Sequence, residues 1–551
     1  MAGVNEKIIV EKYNMKKYHL LLLSVLFGLL MLASWPSQGF SFIALIAWVP
    51  LLFVDQHIRE NRSQFKKFAI FFYVLPGFLL WNVFTTYWLY NSTPAGSFMA
   101  IGLNSILMSL VFTLVHLAGR NLYSRYQGFL LLIMLWISFE YLHLHWDISW
   151  PWLNLGNVFS SSPWAVQWYE YTGIFGGSFY ILLSNILLFL VLKYALLFKK
   201  INRPVIINLI LLLILNVGLL GYSAITYANY KDTGESHEVV VVQPNLDPYK
   251  EQYSVPSREV VLNILNLAEK KRTEKTKMIV APESAIQEYI WEGKLNHSPG
   301  LTQIKQYLYN HPALSMIIGA STFSRIQDTT DLPLSARRHK AGFYYNAHNT
   351  ALMLDTTDRK QIYHKSKLVA GVEQMPFKKV LDFLPVEQLA IDLGGTIGTL
   401  GKSKEREVFY TVDSAIKAAP VICYESVYGD FTSDYILNGA NVICIITNDG
   451  WWGNTAGHRQ HLDFASLRAI ETRKYIARSA NTGISCFVNQ RGDILKPTQY
   501  WEKDVIKGQI ITNDIKTFYT RNGDYVARIS VFGSILLLLI SIIMRITRKG
   551  Y

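Results

Sequence analysis

Seven apolar stretches near the length that crosses a bilayer fill the first 223 residues, and they set most of what this chain can fold into. They lie at 19–33, 41–54, 68–90, 98–118, 128–145, 173–192 and 204–223, and one more, at 529–544, comes close to the carboxy end. A hydrocarbon core about 30 Å thick takes roughly 20 apolar residues as a helix, so the pattern predicts a polytopic α-helical membrane domain with about eight transmembrane helices. Composition agrees: 50% of residues are hydrophobic, 17% are charged and the mean hydropathy is +0.18, high for a soluble protein.

Charge orders these stretches. The amino terminus (Lys7, Lys12, Lys16, Lys17) and the loops holding Arg59, Arg62, Lys66 and Lys67, then Arg120 and Arg125, then Lys199, Lys200 and Arg203 are basic. The intervening segments 36–40, 91–97 and 147–172 contain no Lys or Arg. The positive-inside rule then places the amino terminus in the cytoplasm and residues after 223 outside. The first stretch has no clear small-x-small cleavage site and reads as a retained signal anchor. The final span ends in Arg545, Arg548 and Lys549, which returns the carboxy terminus to the cytoplasm. The net charge of +13 sits in these short clusters and never forms a basic face with interleaved aromatics. It suits anionic headgroups and argues against nucleic acid.

From 224 to 525 the pattern changes to strand-like runs alternating with polar helices, the mark of a globular α/β domain. Strands are expected at 237–243, 277–281, 315–320, 347–354, 421–423, 442–447 and 484–489, and helices at 258–271, 301–309, 427–437 and 461–479. The last helix is amphipathic, with Arg468, Arg473, Lys474 and Arg478 forming a solvated basic side. The chain therefore divides into a membrane domain at 1–223, an outer domain at 224–525, and an eighth span with its tail at 526–551.

Chemistry concentrates at the ends of three apolar runs. The three cysteines exclude a disulfide framework. Cys444 and Cys486 sit inside strand-like runs as small hydrophobes. Cys423 instead ends a strand just before a helix, near unpaired backbone N–H groups that favour thiolate. Glu283 ends another strand in Ala-Pro-Glu-Ser, and Tyr363-His-Lys-Ser-Lys367 supplies cations; alternation alone leaves Lys365 and Lys367 equivalent. Base, cation and thiol together form a nucleophilic constellation. The glycines from Gly395 to Gly401 miss the phosphate-loop spacing by one residue and read as a flexible outward loop. With no zinc-helix, serine-elbow or dinucleotide motif either, no metal and no cofactor is expected.

Glu283, Lys365 in Tyr-His-Lys-Ser-Lys-Leu-Val, Glu373, and Cys423 in Ile-Cys-Tyr-Glu resemble the nitrilase superfamily triad and its second glutamate. The wider chain resembles the membrane-embedded branch of that superfamily, the apolipoprotein N-acyltransferases. Trp150-Pro-Trp-Leu-Asn-Leu-Gly156, Glu140 within the fifth stretch, Asn448-Asp-Gly-Trp-Trp-Gly453 and Gln460-His461 resemble segments of the same family. The resemblance implies an α-β-β-α sandwich with Glu283 as general base, Lys365 at the oxyanion and Cys423 as nucleophile. Glu373, Tyr424 and Glu425 would support them. The loop before Glu373 reads Leu-Val-Ala-Gly-Val where the family often has Leu-Val-Pro-Phe-Gly, so a different loop shape is expected. Trp451 and Trp452 suit an apolar lid or lipid contact, with core packing equally open.

The implied reaction takes an acyl chain from a phospholipid donor onto Cys423 and passes it to the amino-terminal amine of an apolipoprotein acceptor. It implies a bacterial inner-membrane protein with the catalytic domain facing the periplasm and both termini in the cytoplasm. Two alternatives remain at this point: a membrane-anchored nitrilase-type amidohydrolase, and a transporter or scaffold with a degenerate outer domain.

Overall fold

The computed structural model describes residues 15–37, 39–198, 201–357, 359–377 and 399–548. Lys7, Lys12, Lys199, Lys200, the first part of the loop from Gly395 to Ser403, and Lys549 lie outside the described residues. Among the described residues, seven helices are long and apolar enough to cross a membrane: Lys17–Ser34, Ser41–Glu60, Ala69–Thr86, Pro94–Gly119, Tyr169–Phe198, Arg203–Asn229 and Tyr525–Thr547. Their outer faces are apolar: Ile206, Ile210, Leu213, Ile214 and Val217 of one helix are all exposed. Such faces are stable against lipid tails and costly against water. The protein is a multi-pass membrane protein.

The count is one lower than expected. The stretch at 128–145 forms helix Arg125–Leu142, whose Arg125, Gln127 and Glu140 make it less apolar than the others. It still runs the length of the bundle. Arg125 lies 3.9 Å from Glu60 at one end, and Glu140 meets Leu155 and Ser178 at the other. Its 18 residues correspond to about 27 Å of rise.

Glu140 explains why the segment after this helix is not a surface loop. One carboxylate oxygen accepts from Trp136 Nε1 (3.0 Å) and the Leu155 N–H (2.8 Å), and the other accepts from Ser178 Oγ (2.6 Å). Turns Pro151–Leu153 and Leu155–Phe159 are thereby drawn into the bundle, with Trp152, Leu155 and Phe159 buried. Gly156 permits the approach, since a Cβ there would fall 1.9 Å from the Ile174 carbonyl oxygen.

The α/β part is two facing sheets between helices. The first runs Asp504–Thr512, Glu235–Gln243, Thr276–Val280, Ser315–Arg325, Tyr344–Leu354, Arg337–Arg338, with Ile286–Trp291 pairing Ser315–Arg325 and Gln361–His364 pairing Tyr344–Leu354. The second runs Ile494–Leu495, Cys486–Val488, Ile476–Ala480, Val442–Thr447, Lys417–Ile422, Phe409–Tyr410. Alternation divides the first sheet's side chains. Val239, Val241, Met278, Val280 and Ile317 share a core with the second sheet, while Val240, Ile279, Met316 and Ile318 pack against helices Ser257–Glu269 and Pro299–Tyr309. Helices Gly429–Leu437 and Ala456–Thr472 cover the second sheet's outer side, the latter also packing on Tyr169–Phe198. This is the expected α-β-β-α sandwich.

Two expectations for 461–479 need correction. The helix spans Ala456–Thr472 and stops where Arg473 enters the left-handed region (φ 52°); Ile476–Ala480 is a central strand. Nor is the basic side solvated: Arg468, Arg473, Lys474 and Arg478 are all buried. Each cation finds acceptors there. Arg473 donates to Gln167 Oε1 (2.7 Å) and pairs with Glu170 (2.9 Å), tying the sandwich to the helix bundle. Buried charge is tolerated when paired and hydrogen-bonded in this way. Strands Ile286–Trp291, Gln361–His364 and Asp504–Thr512 were not anticipated either, nor were the two-residue strands Arg337–Arg338, Phe409–Tyr410 and Ile494–Leu495.

Glu140→Leu should strand three donors and lower stability by about 2–4 kcal/mol. Glu140→Gln, which keeps an acceptor oxygen, should cost clearly less. Thermal unfolding of the detergent-solubilised variants reads both.

Candidate active site

Three strand ends build the site. After strand Thr276–Val280 the chain delivers Glu283 and then turns at Ser284, whose φ is 53°. The turn lies directly on Gly319 of strand Ser315–Arg325, where a Cβ would come 2.5 Å from the Ser284 nitrogen and 2.6 Å from the Glu283 Cα. Strand Gln361–His364 ends one residue before Lys365. Strand Lys417–Ile422 ends at Cys423, which has φ 50° and opens a 3₁₀ turn, Cys423–Val427. A left-handed cysteine costs roughly 1–2 kcal/mol. Its carbonyl is held there by Ser426 Oγ (2.8 Å) and His461 Nε2 (3.1 Å).

Glu283, Lys365 and Glu373 come together. Lys365 Nζ lies 3.1 Å from Glu283 Oε1 and 2.9 Å from Glu373 Oε1. Asn349 Nδ2 donates to the same two oxygens, at 2.8 and 3.3 Å. Each second carboxylate oxygen takes a backbone N–H, from Asn448 for Glu283 (3.0 Å) and from Val369 for Glu373 (2.9 Å). Lys365 is 2% exposed. Burial opposes its charge, but Glu283 and Glu373 outweigh burial and hold its pKa well above the usual lysine value.

Cys423 is 8% exposed and couples electrostatically to Glu283 and Lys365. The expectation of a favoured thiolate is corrected here. Burial pushes the thiol up, Glu283 adds to that, and Lys365 offsets only part. The net direction is upward, away from thiolate.

The lysine left ambiguous by alternation is resolved by geometry. Lys367 points elsewhere, with Nζ 3.4 Å from the Leu144 carbonyl and 4.7 Å from the Tyr428 ring centroid. Glu425 binds the lysine segment to the cysteine strand. Its Oε1 accepts from Tyr363 OH (2.7 Å) and the Ser366 N–H (2.6 Å), and its Oε2 accepts from the Ile422 N–H (2.9 Å). Tyr424 reaches the bundle, donating to the Ser149 carbonyl at 3.0 Å. Trp452 is half-buried against Trp88 (4.9 Å between ring centroids) and Trp152 (5.7 Å), and Trp451 rests on Tyr249 (5.1 Å).

Sequence reasoning missed Asn349. Its one signal was a polar residue within the apolar run 347–354. It also missed a second cluster, in which one ligand atom each of Glu292, His348 and His364 lie within 4.8 Å of one another; no motif spacing announces it.

Residues 241–519, just over half of the chain, match the carbon-nitrogen hydrolase family model. The chain belongs to the carbon-nitrogen hydrolase family. Residues 27–187 match the apolipoprotein N-acyltransferase N-terminal domain, so the resemblance extends over both parts of the molecule. Curated relatives include an apolipoprotein N-acyltransferase of Chlorobaculum tepidum, 28% identical over 529 residues (93% of this chain, 94% of the relative). Another, from Geobacter metallireducens, is 26% identical over 533 residues (93% of each). Among solved structures, Saccharomyces cerevisiae Nit3, a member of the nitrilase superfamily, is 16% identical with a TM-score of 0.32, covering 51% of this chain and 92% of its own.

Alkylation of Cys423 by iodoacetamide should inflect above the value of about 8.5 for free cysteine. Lys365→Met should move the inflection higher still, because the ammonium is the group pulling the thiol down. Alkylation rates across pH, with Cys444 and Cys486 replaced by Ala, check both.

Proposed function

We propose that the protein is a lipoprotein N-acyltransferase that moves a fatty acyl chain from a phospholipid, through a thioester on Cys423, to the amino-terminal amine of diacylglyceryl-cysteine in an apolipoprotein. The observation that carries the reading is the placement of a buried thiol, carboxylate and ammonium against the loops of a helix bundle, through Tyr424 on Ser149 and Trp452 on Trp88 and Trp152. An acyl donor that lives in the bilayer is met where it lies.

The steps follow from the charges. Glu283 takes the thiol proton as sulfur attacks the ester carbonyl, and the oxyanion that forms is stabilised by the Lys365 ammonium. Collapse expels the lysophospholipid alkoxide, which takes the proton from Glu283 and leaves a thioester. The acceptor amine then attacks, Glu283 takes its proton, and the departing sulfur recovers that proton as the amide forms. Glu373 and Asn349 hold Lys365 and Glu283 in place without changing charge. A site this buried slows loss of the thioester to water. No nucleotide enters the balance.

The same reading divides the chain into a membrane part at 1–223, a catalytic part at 224–525 and a last span at 526–551, in a bacterial inner membrane. The bundle end with Arg59 and Arg125 lies opposite the end that meets the sandwich, at Asn91 and Ser149. Basic loops mark the cytoplasmic side. With Arg125–Leu142 counted as a crossing, seven crossings precede residue 224, so the catalytic part faces the periplasm and both termini the cytoplasm.

In lipid-reconstituted protein with a phospholipid donor and a diacylglyceryl peptide acceptor, Cys423→Ser and Glu283→Gln should abolish amide formation. Lys365→Ala should reduce it by about 10²–10³-fold, while Lys367→Ala keeps most of it. Equal losses for the two lysines would contradict the assignment, and release of free fatty acid without acylated peptide would favour an amidohydrolase.

A further inference from the structure

The first sheet carries a second reactive cluster on the face turned away from Glu283. Thr322 pairs with His348, and Thr350 with His364, so these four side chains share one face. Asn349, between His348 and Thr350, points to the other face and to Glu283. Glu292 follows strand Ile286–Trp291 and reaches back to the cluster. His364 Nε2 lies 2.6 Å from Glu292 Oε1, which also accepts from Thr322 Oγ1 at 2.8 Å. His348 is 5% exposed and stacks on His364, ring centroids 3.7 Å apart. Its Nε2 meets Ser324 Oγ at 2.7 Å, and its Nδ1 lies against the backbone of Gly401, where a Cβ would fall 2.6 Å away. A surface pocket of about 540 Å³, lined by Glu292, His364, Ser403, Glu407 and Tyr410 among others, opens onto the cluster.

We propose that Glu292, His348 and His364 form a binding site for a divalent transition metal of the zinc class. Two imidazoles and one carboxylate with an open fourth position are a ligand set that Zn²⁺ accepts. The ligand atoms lie within 4.8 Å of one another, against about 3.3 Å between ligands around a tetrahedral zinc with bonds of 2.0–2.1 Å. The rings, now stacked 3.7 Å apart and nearly parallel, must separate and rotate out of the stack so that their nitrogens converge on one ion. The ion takes the place of the proton now between His364 Nε2 and Glu292 Oε1, and that proton leaves to solvent. Thr322 and Ser324 already hold a ligand each, as outer-shell partners do in metal sites. The pocket supplies the path of entry.

The site's consequence is mechanical. His364 adjoins Lys365, His348 adjoins Asn349, and Glu292 ends the strand that begins just after Glu283. An ion joining all three ligands staples the segments that carry the catalytic cluster and takes part in no step of the transfer.

The test uses full-length protein in detergent, stripped with a chelator and dialysed. Titration with Co²⁺ should give a visible tetrahedral absorption band saturating at one ion per chain, displaced by Zn²⁺, and Zn²⁺ should raise the thermal unfolding temperature. His348→Ala and the size-preserving Glu292→Gln should abolish the band and the temperature shift, and Ser324→Ala should weaken binding by about tenfold or more. Absence of the band in the wild type, or a band unchanged in His348→Ala and Glu292→Gln, would overturn the proposal.

Discussion

The ammonium of Lys365, 2% exposed and flanked by two carboxylates, is the interaction on which the rest depends. An unpaired charge at that depth costs several kcal/mol, and two carboxylates without the cation would repel each other. Burial pushes the Cys423 thiol up beside this cluster, Glu283 adds to that, and Lys365 offsets part of it. The backbone N–H groups of Asn448 and Val369 and the amide of Asn349 complete the hydrogen bonding without adding charge. The strained turns at Ser284 and Cys423 and the bare Gly319 are what it takes to bring three strand ends within reach of one another.

The residue after Cys423 is fastened to a bundle loop, Tyr424 to Ser149, and Arg473 is fastened to Gln167 and Glu170. Trp88, Trp150, Trp152 and Trp452 form an aromatic seam between sandwich and bundle. Glu140 draws the loop inward so that Trp152 reaches that seam. Sandwich and bundle are thereby held as one unit, with the thiol at their junction.

Much of this was legible in the sequence, because hydrophobic length and strand-end chemistry are local signals. The apolar stretches located the helices to within a few residues, and Glu283, Lys365, Glu373 and Cys423 were each visible in short motifs. What the sequence hid depends on tertiary partners. The arginines at 468, 473 and 478 looked like a solvated face because nothing local says that Val427, Gln167 and Asp449 will supply acceptors. Glu140 stood out as a carboxylate within the fifth stretch, but its role as anchor of the buried loop depends on Leu155 and Ser178, which only the fold brings to it. The thiol's raised pKa was equally invisible, since burial and the charge of Glu283 reach it only through the fold. Asn349 and His348, neighbours on one strand that point to opposite faces, acquire meaning only when the strands pair.

In the proposed reaction the sulfur of Cys423 carries the acyl group between two lipid partners. The most direct measurement is the intact mass of the lipid-reconstituted protein after incubation with a phospholipid of one defined chain and no acceptor. An acyl carrier at Cys423 gains one such acyl group on the peptide containing Cys423 and loses it on adding a diacylglyceryl peptide. An unmodified Cys423 alongside consumed phospholipid would contradict that reaction.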